Sequence, residues 1–233
     1  MSDFSNRTAV VTGGTGALGT AVVDALLKAG ARCVVPYRDE HEAKTFTHRD
    51  HTQITMIAVT ELSDEADVAK LYGGVTPLWA SIHIAGGYLW GPIADTDKAA
   101  LLKQLNMNVV STFLCCRSAI KAMGGDGGRI VNVAARQALE WRLGANQTAY
   151  GASKAAVAAL TAALAEEVAK DAILVNAVAP SIMDTPVNRK DMPKADFGKW
   201  PKVEEVAQTI LFLASPDNKV TRGAIVPVYG KSS

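Results

Sequence analysis

The stretch Thr8-Ala9-Val10-Val11-Thr12-Gly13-Gly14-Thr15-Gly16-Ala17-Leu18-Gly19 places a glycine-rich turn directly after a short apolar run. The run predicts a buried strand, and the apolar residues that recur at helical spacing from Leu18 to Leu26 predict a helix that ends before Gly30. Glycines allow the backbone to approach a pyrophosphate closely, and the first turn of a helix offers unpaired N–H groups and a favourable dipole. This arrangement predicts a dinucleotide site; the alternative is a tight turn that happens to be rich in glycine.

Short apolar runs alternate with helical periods along the rest of the chain. Further strands are predicted at residues 32–37, 54–59, 78–84, 129–133, 173–178 and 224–228. Helices are predicted between them at 63–72, at 97–123 as two helices, at 148–170 and at 203–214. This alternation, with no linker that divides the chain, predicts one α/β domain over residues 1–233, a doubly wound, Rossmann-like, seven-stranded parallel sheet with helices on both faces. Residues 180–201 hold four prolines and little periodicity, and we expect them to form a lid over the substrate.

The composition excludes several classes of protein. With 24 Lys and Arg against 23 Asp and Glu, the net charge of +1 exerts no pull toward nucleic acid or an anionic membrane. No apolar run reaches the length of a membrane span, and the polar start of the chain lacks the apolar core of a signal peptide, so we expect a cytoplasmic protein. The three cysteines form no C-x-x-C pair, and His41, His48 and His51 lack a ligand pattern, so neither a disulfide framework nor a metal site is expected.

The end of the second predicted strand, Val34-Val35-Pro36-Tyr37-Arg38, bears on which dinucleotide would bind. A site for NAD usually places an acidic residue here, which binds the ribose 2′-hydroxyl. Tyr37 takes that place and Arg38 follows, so a 2′-phosphate would meet a guanidinium instead of a carboxylate. We therefore expect NADP(H) to be preferred over NAD(H). The alternative is a solvent-exposed Arg38 paired with Asp39 or Glu40.

Several motifs, in the right order, resemble those of the short-chain dehydrogenase/reductase family over nearly the whole chain. The glycine-rich turn resembles the family's T-G-x-x-x-G-x-G, with Ala17 where the middle glycine usually stands. Tyr150-Gly151-Ala152-Ser153-Lys154 resembles its Y-x-x-x-K pair, and Asn108 stands at the place of its helix asparagine. Pro180-Ser181-Ile182-Met183-Asp184-Thr185 is similar to P-G-x-x-x-T, and His83-Ile84-Ala85-Gly86 stands at the N-N-A-G position without its asparagines.

Three residues form the predicted catalytic set: Tyr150, Lys154 and Asn108. Because Tyr150 and Lys154 are four residues apart, a helix would put them on one face, where the ammonium would lower the pKa of Tyr150 toward working pH. Tyr150 could then donate a proton to a substrate oxygen or nitrogen as hydride arrives. Asn108 could hold a water for proton relay; the alternative is a buried amide satisfied by the backbone.

The resemblance also implies which residues contact the cofactor. It implies that Lys154 contacts the nicotinamide ribose, that Thr185 contacts the carboxamide and that Pro180 packs near the ring. Glu61 stands for the family's aspartate near adenine, although a carboxylate at a helix start is also favoured by the dipole. The expected cofactor contacts are Gly13, Thr15, Gly16, Ala17, Leu18, Gly19, Tyr37, Arg38, Glu61, Ala85, Gly86, Lys154, Pro180 and Thr185.

The family's catalytic serine has no counterpart in Val133-Ala134-Ala135-Arg136-Gln137, where Ala135, or Gln137 after a shift, takes its place. This absence and residues 184–200 resemble the dihydropteridine reductase branch, which also relies on Tyr and Lys but carries an aspartate at the second strand and prefers NADH. Without the serine a ketone loses a hydrogen bond, whereas a C=N or quinonoid acceptor needs less help. We therefore expect NADPH-dependent hydride transfer to an activated C=N, quinonoid or carbonyl substrate. The alternatives are a general ketone or 3-oxoacyl reductase and a catalytically weak dinucleotide-binding sensor.

The predicted partners are a small-molecule substrate and further copies of the chain. Helix 148–170 is rich in alanine around much of its circumference, which allows close packing on another helix. In the family the corresponding helix forms a subunit interface, so the resemblance implies a homo-oligomer, either a dimer or a tetramer. Trp90, Trp141 and Trp200 are candidates for the substrate mouth, the alternative being simple packing.

Overall fold

A computed structural model of the chain describes residues 3–125 and 127–232, so that Met1, Ser2 and Ser233, at the ends of the predicted domain, lie outside the described residues. The strands are β1 (Thr8–Thr12), β2 (Arg32–Tyr37), β3 (Ile54–Ala58), β4 (Ala80–His83), β5 (Gly128–Val133), β6 (Ile173–Pro180) and β7 (Ile225–Val228). The α-helices are α1 (Ala17–Lys28), α2 (Glu40–Thr45), α3 (Glu65–Tyr72), α4 (Lys98–Leu105), α5 (Ser111–Ala122), α6 (Thr148–Glu167), α7 (Pro186–Asp191) and α8 (Val203–Ala214).

The strands form a seven-stranded sheet in the order β3-β2-β1-β4-β5-β6-β7, and every neighbouring pair is parallel. The predicted fold class, a doubly wound parallel sheet with helices on both faces, is confirmed. The chain leaves β1 toward β2 on one side, and β4 later pairs with β1 on the other. In such sheets ligands bind at this reversal, outside the carboxyl ends of the strands.

Both faces of the sheet are buried, which explains why the strands read as continuous apolar runs. Val11 packs with Leu26 of α1 and Ile210 of α8 on one face. Its neighbour Val10 points to the opposite face and packs with Leu71 of α3. All five side chains are at least 99% buried. The glycine-rich turn therefore leaves a strand that is held on both sides.

Two short helices were not expected from the sequence. α2 begins after Asp39, whose carboxylate accepts a hydrogen bond from the backbone N–H of His41 at 2.6 Å. α7 lies inside the segment 180–201, where Thr185 Oγ1 accepts from the backbone N–H of Asn188 at 3.2 Å and Pro186 occupies the first turn. Each spans six residues, too few for an apolar period to be visible. Residues 180–201 therefore contain one short helix, and their role as a lid over the substrate stays a prediction.

The predicted division of residues 97–123 into two helices is confirmed. α4 and α5 are joined by a π-helical turn, Asn106–Val110, and this turn carries Asn108. π-helical turns inside α-helices are frequent at functional sites. β4, by contrast, covers only Ala80–His83 of the predicted 78–84.

His83 lies at the carboxyl end of β4 in a chain of buried polar groups. Asn132 of β5 donates from Nδ2 to Thr161 Oγ1 at 2.9 Å, and that hydroxyl donates to the carbonyl of Val157 at 2.8 Å. Oδ1 of Asn132, 2.8 Å from Nδ1 of His83, can then only accept, so the His83 proton is on Nδ1. Nε2 is left to accept from Ser81 Oγ at 2.8 Å. The network joins β4, β5 and α6 where the strands end.

Burial of His83 should make the protein sensitive to acid. Burial lowers the pKa of His83 from 6.5 to about 4, so the folded state resists a proton that the unfolded chain accepts. The free energy of unfolding should therefore fall as pH drops from about 6.5 to about 4, by about 3 kcal/mol at most from this group. Urea unfolding of the wild-type protein and of His83→Asn across this pH range measures the effect. The exposed His41→Asn should unfold like wild type, and a His83→Asn curve as steep in pH as the wild-type curve contradicts the assignment.

Candidate active site

The glycine-rich turn after β1 has no room for larger residues. Gly13 has φ +68°, and a Cβ built on it would lie 2.7 Å from the backbone nitrogen of Ala85. A Cβ on Gly14 would lie 2.8 Å from Cγ1 of Val35. Gly16 is the N-cap of α1, and no side chain caps the helix there. The first N–H groups of α1 are therefore available to an anion, and the backbone can be approached closely.

A cavity of about 520 Å³ opens above this turn, and we call it the glycine-loop cavity. Most of the predicted cofactor residues line it, namely Gly13, Thr15, Gly16, Ala17, Leu18, Gly19, Tyr37, Arg38, Glu61, Ala85 and Gly86. The structure adds Lys103, Asn106, Met107 and Ser111, which lie around the π-helical turn and have no motif that could have revealed them. The glycine turn, the free helix N-terminus and the cavity together fit a dinucleotide.

Three of the predicted cofactor residues, Lys154, Pro180 and Thr185, do not line the glycine-loop cavity. Pro180 is buried at the end of β6, beside Val228 of β7. Thr185 uses its hydroxyl to cap α7. Lys154 comes close to the cavity wall, because its Nζ lies 3.6 Å from a Cβ built on Gly86.

At the end of β2, Tyr37 and Arg38 both line the glycine-loop cavity. Tyr37 donates its hydroxyl proton to Oε1 of Glu40 at 3.0 Å. Within residues 3–125 and 127–232, Arg38 forms no salt bridge, so the alternative that pairs it with Asp39 or Glu40 is not what the structure holds. The Arg38 guanidinium is free to meet a phosphate.

Lys154 and Tyr150 lie on the first turns of α6. Lys154 is buried and donates from Nζ to the carbonyl of Val133 at 2.7 Å, and burial lowers its pKa to about 8. Tyr150 meets the ring of Tyr88 edge-on, with centroids 4.9 Å apart. Burial, with a smaller contribution from Tyr88, raises the pKa of Tyr150 to about 12. The expectation that Lys154 lowers the pKa of Tyr150 is wrong for the protein without cofactor. The ammonium of Lys154 donates to the carbonyl of Val133, and the loss of hydration around the phenol has the larger effect.

Asn108 is buried in the π-helical turn with its side chain fully engaged. Oδ1 accepts from the backbone N–H of Gly87 at 2.8 Å, and Nδ2 donates to the carbonyl of Gly87 at 3.0 Å and to Ser153 Oγ at 2.9 Å. The Asn108 side chain is thus an amide whose hydrogen bonds are made by its neighbours, and it is not free to hold a water. Asn108 is therefore a positioning residue that fixes the peptide between Gly86 and Tyr88.

Gln104 supports the same peptide and was missed from the sequence. It is fully buried on α4, and its Nε2 donates to the carbonyl of Gly87 at 2.6 Å. Its Oε1 has no hydrogen-bond partner among the described residues. A polar residue in an otherwise helical pattern gives no sign of this role, since only the fold brings α4 against the loop after β4.

The end of β5 holds both candidates for the place of the family's serine. Ala135 is buried, with 4% of its surface exposed, and offers no side-chain donor. Gln137 follows in a 3₁₀ turn, Arg136–Ala138, and lines a second cavity of about 460 Å³. Trp200 lines this second cavity as well, whereas Trp90 and Trp141 are 62% and 76% exposed and line neither cavity.

Among the described residues, no helix is long and apolar enough to cross a membrane. No group of three or more His, Cys, Asp and Glu side chains within residues 3–125 and 127–232 could hold a metal ion.

The chain is similar to known proteins over nearly its whole length. A family model described as short chain dehydrogenase matches residues 7–196. Galactitol 2-dehydrogenase of Rhizobium johnstonii is 35% identical over 94% of this chain and 92% of that protein. L-xylulose reductase of Bos taurus is 30% identical over 97% of this chain and 96% of that protein. Among solved structures, a blue fluorescent protein from a metagenomic library in complex with NADPH has a TM-score of 0.88 and 26% identity, covering 99% of this chain and 100% of that one.

Proposed function

The chain belongs to the short-chain dehydrogenase family of oxidoreductases, and from that premise we propose that it reduces an activated C=N, quinonoid or carbonyl group with NADPH. One observation carries the proposal: the buried Lys154 reaches the wall of the glycine-loop cavity beside Gly86 and stands on the same helix as Tyr150. This arrangement supports placing the proton donor beside the dinucleotide site. When bound, the nicotinamide would supply the hydride, which is two electrons and one proton.

The chain's own residues supply the second proton. The hydroxyl of Tyr150 has no hydrogen-bond partner among the described residues, so it can approach a substrate oxygen or nitrogen directly. Because burial raises its pKa, the phenol is protonated at neutral pH and the proton to be donated is in place. A buried ammonium and an unengaged phenol also argue against a catalytically weak sensor, which needs neither.

Two substrate classes remain, and each has an observation in its favour. The missing serine at Ala135 favours the quinonoid and C=N acceptors of the dihydropteridine reductase branch. The similarity to L-xylulose reductase favours a general carbonyl reductase. A screen of NADPH oxidation with quinonoid dihydropterin, quinones and simple ketones tests the proposal. Simple ketones reduced as fast as the activated acceptors would favour the second class.

The choice of cofactor depends on Arg38. Because no carboxylate occupies the end of β2 and Arg38 is unpaired, we expect NADPH to bind more tightly than NADH. Arg38→Asp should reverse the preference, since its carboxylate would repel a 2′-phosphate and accept from a 2′-hydroxyl. Fluorescence titration of wild type and variant with both cofactors measures this. The exposed Arg142, outside the glycine-loop cavity, gives the matched control Arg142→Asp, which should leave the ratio unchanged. Tighter NADH binding by the wild-type protein contradicts the assignment.

We also propose that the protein is a homo-oligomer formed through α5 and α6. α6 exposes a row of alanines, Ala152, Ala159, Ala162 and Ala163, while Phe113 of α5 is 49% exposed. Small side chains allow helices to approach closely, and an exposed aromatic beside them adds apolar area. Sedimentation equilibrium distinguishes a monomer, a dimer and a tetramer.

A further inference from the structure

The second cavity holds two glutamine side chains that no step of the proposed reaction uses. Gln137 Nε2 lies 3.4 Å from Oε1 of Gln147, at the outer limit of a hydrogen bond. Gln147 Nε2 donates to the carbonyl of Leu143 at 2.9 Å. Within the described residues, Oε1 of Gln137 and its second N–H group have no partner. Gln137 therefore offers one acceptor and one donor side by side.

This amide stands beside the proton donor. Gln147 is the N-cap of α6, three residues before Tyr150, and its carbonyl accepts from the backbone N–H of Gly151 at 2.9 Å. Cβ of Gln137 lies 3.9 Å from a Cβ built on Gly151. Ala135 contributes no donor, and the guanidinium of Arg136 is paired with Glu140 at 2.9 Å. The Gln137 amide is therefore the group at this strand end that is available to hold a substrate by hydrogen bonds.

The rest of the second cavity has walls of mixed character. Leu143, Ile182 and Trp200 supply apolar and aromatic surface, and the other lining residues are polar or charged: Arg136, Ser181, Asp196, Lys199 and Ser232. A planar compound placed against Trp200 would present its edge to the glutamines. Paired donor and acceptor groups of an amide recognise a matching pair on a ring edge, as glutamine does with adenine.

Resting on the proposed function, we propose that Gln137 and Gln147 are specificity-determining residues that select a planar carbonyl or imine substrate carrying a lactam or amidine edge. Such an edge places an N–H next to a C=O or C=N, and it would replace the long bond between the two glutamines. A ring that lacks the N–H would leave the Gln137 acceptor without a partner, which costs affinity. The hydride and the proton still go to the reacting C=O or C=N, so the amides alter selection and not chemistry.

Isatin and N-methylisatin test the proposal, because they share the reactive ketone and differ only in whether the lactam nitrogen carries a hydrogen or a methyl group. With NADPH, wild-type protein should reduce isatin with a kcat/KM about tenfold higher or more, mainly through KM, which corresponds to about 1.4 kcal/mol. Gln137→Leu should bring the ratio to about one. Gln208→Leu, the same change at an exposed position of α8, should keep the wild-type ratio. A wild-type ratio near one, or a ratio that survives Gln137→Leu, would overturn the proposal.

Calorimetric titration of both probes into protein saturated with NADP⁺ separates this inference from the proposed function. Isatin bound more tightly than N-methylisatin, with the difference lost in Gln137→Leu, supports the amide selection even if neither probe is reduced. Reduction of both probes without discrimination overturns the selection and leaves the reductase function intact. Equal binding of the two probes to the wild-type protein, with or without turnover, also overturns the selection.

Discussion

Tyr150→Phe should lower kcat for NADPH-dependent reduction by about 10²–10⁴-fold, the usual contribution of general acid catalysis. The phenyl ring keeps its edge-on contact with Tyr88 at 4.9 Å between centroids, so packing at the start of α6 is preserved. Only the hydroxyl is lost, and no described protein group depends on it for a hydrogen bond. NADPH affinity should therefore barely change. Steady-state kinetics and a cofactor titration on the same preparation measure both quantities.

The matched control for this change is Tyr72→Phe, which removes a hydroxyl that is buried between β4 and α3 and lies 2.7 Å from Ser81 Oγ. It should cost stability and leave kcat near the wild-type value. If Tyr150→Phe retains full kcat, single-turnover measurement of hydride transfer decides the reason. A hydride-transfer rate equal to wild type in that experiment removes Tyr150 from the mechanism.

The architecture could be predicted because a continuous apolar run indicates a strand that is buried on both faces, and apolar residues at helical spacing indicate a helix that is buried on one face. Val10 and Val11 point to opposite faces and are both fully buried, so β1 could only lie inside a covered sheet. Motif order then placed the glycine turn at the first strand end, and the structure put most of the predicted cofactor residues around one cavity. α2 and α7 were not predicted, because the sequence marks them only by the N-cap residues Asp39 and Thr185 and not by a helical repeat of apolar residues.

The electrostatics of the site could not be predicted, because they depend on burial and on where a charge points. Spacing put Lys154 and Tyr150 on one helix face, but spacing does not show that Nζ turns to the carbonyl of Val133. Nor does it show that Tyr88 covers Tyr150. The role of Gln104 was hidden for the same reason, since its partner Gly87 lies in a loop that only the fold brings near.

Taken together, the loops that follow β4 and β5 act on one helix. Gly87, held by Asn108 and Gln104, fixes Tyr88 against Tyr150, while Val133 at the end of β5 holds Lys154. The partly buried phenol of Tyr150 thereby remains protonated, and the buried ammonium of Lys154 loses its proton more easily than in water. Burying the Lys154 charge costs stability, which is a common exchange at catalytic centres.

Lys154→Met should lower kcat by about 10²-fold or more and weaken NADPH binding by roughly 10–100-fold, since a charged hydrogen bond contributes about 1.5–3 kcal/mol. Methionine keeps the length of the side chain and removes the charge.

Because burial lowers the pKa of Lys154 from 10.5 to about 8, the wild-type kcat/KM should fall as pH rises through about 8, and the variant should lack that fall. Burial of the Lys154 ammonium destabilises the folded state at pH values below about 8. In the wild-type protein this destabilisation disappears as pH rises from about 8 to 10.5, whereas in Lys154→Met it is absent at every pH. Thermal unfolding of Lys154→Met at pH 7 should therefore occur at or above the wild-type temperature, despite the lost bond to Val133. An inactive variant with a lower unfolding temperature would mean that the lysine supports the fold, whereas an inactive variant of equal or greater stability places its role in the reaction.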